Sequence, residues 1–174
     1  MFIQGCIFGA FTLFFIYLFI KDHPWFKYLV TAWKKLNAKY TSVGTIGGNT
    51  PINIMRADFG NIPEIIVSDD DYFLYRKFSY EDFLEIDQVD KRKPLQDIFD
   101  CDDYAAVLMG EVKDHIIGAP FGIALVQYSD IKGNTVSHML NCFIDENKEF
   151  WFVEPQNDKI FKKPTDWVVC FIRI

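Results

Sequence analysis

The sequence predicts an α+β domain preceded by an N-terminal transmembrane helix. Three observations carry this expectation. Residues 2–20, FIQGCIFGAFTLFFIYLFI, hold no charge and only Gln4 and Thr12 as polar residues. One strongly periodic helical segment begins near Cys101, and four runs of strand character follow it, separated by short polar turns. A helix followed by a meander of antiparallel strands reads as α+β, with the helix packed on the sheet.

The apolar run extends roughly 28 Å as a helix, close to the hydrocarbon thickness of a bilayer. A cleaved signal peptide fits less well. No basic stretch precedes the run, and Lys21-Asp22-His23-Pro24 offers no small-residue cleavage site. Lys21, Lys27, Lys34, Lys35 and Lys39 form a basic collar after it, which predicts a single-pass membrane protein with a cytoplasmic C-terminal domain. In residues 21–40, Trp25, Phe26, Leu29, Val30, Trp33 and Leu36 recur at helical spacing, as in an amphipathic juxtamembrane helix. The expected division is a membrane anchor at 1–40 and a folded domain at 41–174.

Residues 41–51, TSVGTIGGNTP, read as a connector. Short strands are expected at 53–57 and 64–67, with a turn at 68–72 that holds Asp69-Asp70-Asp71. A helix capped by Ser79 is expected over 79–90, and KRKP at 91–94 reads as a charged turn. Asp100 is a good N-cap. Ala105, Leu108, Met109 and Val112 share one helical face, so the pattern predicts a helix over 101–115. Strands are expected at 121–129, 135–144, 149–155 and 166–174, with turns at 130–134 and 145–148.

Composition narrows the function classes. A chain of 174 residues supports one domain with a substantial core. Net charge is −6 overall and −10 over residues 40–174, which argues against a nucleic-acid partner and suits cations. Cys6, Cys101, Cys142 and Cys170 show no CxxC spacing, so neither a zinc site nor a disulfide framework is indicated.

Chemistry concentrates in FDCDDYA at 99–105 and in the hairpin of 135–155. A thiol in the first turn of a helix gains from the exposed N–H groups, by roughly 0.3–1 kcal/mol for the thiolate when exposed. Asp102 and Asp103 oppose that thiolate. Cross-strand pairing brings Glu154 within one residue of His138, and an imidazole held by a carboxylate is an oriented general base. If the helix starting at Cys101 packs across the face of His138, Leu140 and Cys142, the three residues complete a nucleophile, base and orienter. Cys142, mid-strand and without a helix dipole, is the weaker thiol. A divalent cation would offset the two aspartates, and hard cations such as Ca²⁺ seek oxygen ligands.

FDCDDYA, SHMLNCF at 137–143 and WFVEPQN at 151–157 together resemble the papain-like cysteine protease domain at the C-terminus of the Marasmius oreades agglutinin, over roughly residues 75–165. The resemblance implies a papain-like fold and a catalytic triad of Cys101, His138 and Glu154. It implies activation by Ca²⁺ or Mn²⁺, with Asp102, Asp103 and Gln156 as metal ligands. Gln96 stands where such enzymes place an oxyanion-hole glutamine, at a slightly short spacing. The expected membrane helix stands where that agglutinin carries its sugar-binding trefoil. The expected function is a membrane-anchored, cation-dependent cysteine peptidase acting on a peptide or protein, with the chain itself among the candidate substrates. A cell-wall peptide amidase and a catalytically silent subunit of a membrane complex or viral particle are the alternatives.

Overall fold

Strands set the frame of the structure, a computed structural model that describes residues 40–95 and 99–174. Among these, eight strands and three helices follow one another. They are β1 (Gly44–Gly47), α1 (Thr50–Phe59), β2 (Glu64–Ile66), β3 (Asp71–Leu74), α2 (Lys77–Leu84), α3 (Cys101–His115), β4 (Phe121–Ser129), β5 (Thr135–Ile144), β6 (Phe150–Glu154), β7 (Lys159–Phe161) and β8 (Val168–Arg173). The main sheet has the order β2-β8-β4-β5-β6-β7, and β1 pairs with β3 in a separate two-stranded sheet.

The main sheet is mixed. β2 runs parallel to β8, with Ile65 opposite Ile172, while the other neighbours are antiparallel. This corrects the papain-like expectation of a cysteine-bearing helix on a purely antiparallel sheet. Two sheets dominate, and both faces of the larger one are covered. On one face Tyr104, Leu108 and Val112 of α3 pack with Tyr80, Phe83, Phe121, Phe143 and Val153. On the other, Met55 of α1 joins Ile46, Tyr72 and Leu74 of the small sheet against Leu140, Cys142, Phe150, Phe152 and Ile172.

Local chemistry explains the junctions. Gly122 lies where an added Cβ would sit 1.8 Å from the Arg173 carbonyl oxygen, so β4 and the end of β8 approach too closely for any other residue. The buried Tyr72 hydroxyl donates to the Ile174 carbonyl and accepts from the N–H groups of Ser68 and Asp69, tying the loop before β3 to the end of β8. The β5–β6 hairpin closes with Asp145 N–H donating to the Glu149 carbonyl, and Lys148 takes φ 62°. Asp145 Oδ1 accepts from the N–H groups of Asn147 and Glu149.

The strand expected at 53–57 lies inside α1, where Pro51 opens the first turn and Met55 faces the core. Within the expected connector, residues 44–47 form β1. Among the described residues no helix is long and apolar enough to cross a membrane, and the single-pass localisation is withdrawn on that ground. The apolar run 2–20 and the amphipathic segment at 21–39 lie outside the described residues.

Candidate functional site

α3 begins as its sequence dictates. Asp100, in extended conformation, caps it: its side chain accepts from the Asp102 N–H at 3.4 Å, and Asp103 Oδ2 accepts from the Asp100 N–H at 3.2 Å. This capping box satisfies donors that a helix start leaves open. The hydrogen bond shared with Asp102 is the main reason that the Asp100 carboxyl sits above its ordinary range. Ligand atoms of Asp100, Cys101 and Asp102 lie within 4.8 Å of one another.

His138 and Glu154 do meet. Nε2 of the imidazole lies 2.7 Å from Glu154 Oε2, with the two side chains 16% and 17% exposed. The register differs from the expectation. Asn141 faces Val153, which sets Glu154 level with Leu140, and the pair forms on a diagonal two residues apart. The tight turn after β6 holds the carboxylate from behind, since Glu154 Oε1 accepts from the Gln156 N–H at 3.4 Å. An ionised Glu154 can only accept, so Nε2–H donates.

Asn141, which sequence reasoning left without a role, fixes α3 to the sheet. Its buried amide donates to the carbonyls of Ala105 at 2.8 Å and Gly122 at 3.0 Å. Farther along, Leu108 and Val112 lie in the same buried cluster as Phe143. α3 covers the face of Asn141 and Phe143, whereas ladder alternation groups His138 with Leu140 and Cys142. The packing of α3 across the histidine's own face therefore does not occur. Among the described residues no hydrogen bond joins Cys101 to His138 or Glu154. A buried amide contacting a helix carbonyl leaves no periodic trace in sequence, which is why Asn141 escaped notice.

Cys142 is fully buried and its thiol is pushed well above the ordinary range by that burial, which removes the rival nucleophile. Asp103 is committed to the capping box, and Gln156 lies in the turn beyond Glu154. Gln96 lies outside the described residues. A second acidic group stands elsewhere. Asp87, Asp90 and Asp158 also bring ligand atoms within 4.8 Å of one another, and burial, then Asp87 and Asp90, push the Asp158 carboxyl up to about 7. An open cleft of about 400 Å³ near Tyr40, Phe73, Tyr75 and His115 lies on neither constellation.

No protein-family model matches the chain, and no curated protein matches it by sequence. Solved structures do. One is a complex of PSL1a with E64, at 20% identity and a TM-score of 0.60, covering 75% of this chain and 51% of that one. Another is the Polyporus squamosus lectin bound to the human-type influenza-binding epitope Neu5Acα2-6Galβ1-4GlcNAc, at 20% identity and a TM-score of 0.61, covering 75% and 49%. The likeness shows a shared fold. The matched region spans about half of each neighbour's length.

These neighbours correct the functional expectation. The second is a lectin with a bound glycan, and the first is a complex with E64. The membrane-anchored cysteine peptidase, with its hydrolase and thiol-protease labels, is set aside together with the peptide substrate and the membrane partner. What the second neighbour binds is a carbohydrate.

Proposed function

We propose that this domain is a cation-dependent binding module of lectin-like fold, with its working site at His138 and the start of α3. His138, held by Glu154, and Cys101 are the side chains that meet the ligand. Asp102, Asp103 and Gln156 hold Ca²⁺ or Mn²⁺, which offsets the carboxylates crowded around Cys101. A carbohydrate is the ligand class, because a sialylated glycan is named with one fold neighbour and a bound hard cation accepts sugar hydroxyls as further oxygen ligands. The observation that carries the reading is the 2.7 Å pair of His138 and Glu154, with side chains only 16% and 17% exposed.

The experiment is NMR of the histidine side chains during addition of Ca²⁺ and then of Neu5Acα2-6Galβ1-4GlcNAc, alongside the rate of Cys101 alkylation. Perturbation of the His138 resonances by the glycan only after Ca²⁺, with Cys101 protected, is the expected outcome. If glycan and cation both leave His138 and Cys101 unchanged, the reading is wrong.

A further inference from the structure

We propose that Tyr128 and Trp167 form the stacking wall of the site at His138 and Glu154, taking the carbon–hydrogen face of a sugar ring whose hydroxyls point to the imidazole. The inference rests on the carbohydrate reading and names the side chains that select its ligand.

Register comes first. Val126 lies opposite His138 and Tyr128 opposite Val136, so Tyr128 and His138 share one face of the main sheet as diagonal neighbours, within reach of an aromatic side chain. On the other side of β4, Val126 lies opposite Val169 and Gln127 opposite Val168, which leaves Trp167 level with Tyr128. The two rings stack, with centroids 5.0 Å apart and planes 12° from parallel. Phe161 meets the indole in a T-shaped contact at 5.8 Å. Backbone contacts fix Trp167: its N–H donates to the Pro164 carbonyl, and its own carbonyl accepts from Lys163 Nζ at 2.6 Å. A wall set in advance loses little freedom when a ligand arrives.

Polar tips come second. Among the described residues, three of the other tyrosines donate to carbonyls, Trp151 donates to Asp145, and the hydroxyls of Tyr40 and Tyr80 are buried. The Tyr128 hydroxyl and Trp167 Nε1–H alone are neither bonded nor buried. Half-buried rings with free polar tips suit a ligand that is apolar on one face and hydroxylated at its edge. A pyranose is such a ligand. Its C–H bonds meet the negative face of the rings, and its hydroxyls accept from the indole and the phenol.

NMR of Neu5Acα2-6Galβ1-4GlcNAc added to the full chain in Ca²⁺ tests the wall, with binding measured also for Trp167→Leu and Trp167→Phe. Upfield ring-current shifts of sugar C–H protons are expected. Trp167→Leu, which keeps apolar bulk but no π face, is expected to lose those shifts and to weaken binding about tenfold. Trp167→Phe should restore part of both. A glycan that perturbs His138 yet shows no ring-current shift would overturn the wall and leave the carbohydrate reading intact, as would unweakened binding by Trp167→Leu. A glycan that the unaltered chain does not bind would overturn both. Should Trp167→Leu fail to fold by circular dichroism, Tyr128→Leu repeats the comparison.

Discussion

Two acidic clusters in this domain have nearly the same make-up and opposite circumstances. At the start of α3, Asp100 and Asp103 direct their oxygens to backbone N–H groups, and Asp102 is exposed. Between the segment after α2 and the β6–β7 turn, Asp87 is buried, and Asp90 and Asp158 each keep a buried oxygen that finds no donor among the described residues. The first cluster is stable as a helix cap whether or not an ion binds. In the second, burial and the neighbouring carboxylates push the Asp158 carboxyl up to about 7. Hydrogen-bond accounting, rather than the count of aspartates, separates the two.

The comparison can be broken at its strongest point through Asn141, which anchors the start of α3. Asn141→Leu removes both amide donations and is expected to cost about 2 kcal/mol in urea unfolding. A loss under about 0.5 kcal/mol would mean that apolar packing alone positions the helix. Next, Asp100→Ala should cost about 1 kcal/mol through the lost cap. An unchanged midpoint would show that this cluster is not bound up with helix stability.

Asp158 sharpens the other side. Its folded-state carboxyl sits at about 7 against an ordinary 3.8, so the native state holds the proton more tightly than the unfolded chain does. That advantage is complete below about pH 4 and is lost as pH rises through about 7. Without divalent ions, stability should therefore fall across this window in the wild type, and Asp158→Asn should flatten the fall. Parallel melting curves for the two across the window would refute the assigned burial. The smallest effect is expected from Lys91→Ala, within about 0.5 kcal/mol by urea unfolding, because the exposed ammonium is largely screened by water.

Much of the second half of the domain was legible. The helix at 101–115 and the strands at 121–129 and 135–144 have the bounds that periodicity predicts, because strong alternation or a capped 3.6-residue pattern decides each locally. The first half was harder. INIMRA at 52–57 has no clean helical face, and α1 buries Pro51 and Met55 fully and Ile54 and Phe59 only in part, so it read as a strand. β7 is three residues in a lysine-rich stretch, and it forms because β6 offers it an edge. The parallel pairing of β2 with β8 joins residues more than a hundred apart, a fact that no local window contains. The site divides in the same way. Asp100 as cap and the proximity of His138 and Glu154 followed from spacing. The face that α3 covers, and the buried cluster around Asp158, depend on how distant segments come together.

The rims of the main sheet have a consequence for the behaviour of many copies in solution. β2 at one border and β7 at the other are each only three residues long. An incoming strand from another molecule would find two or three backbone groups to pair with at either side before the ladder ends. β7 is followed by Lys162 and Lys163, whose charge discourages such pairing further. A sheet rich in Phe, Val and Ile is thereby kept from acting as a template for fibrous aggregation, and the protection lies in the brevity of its borders.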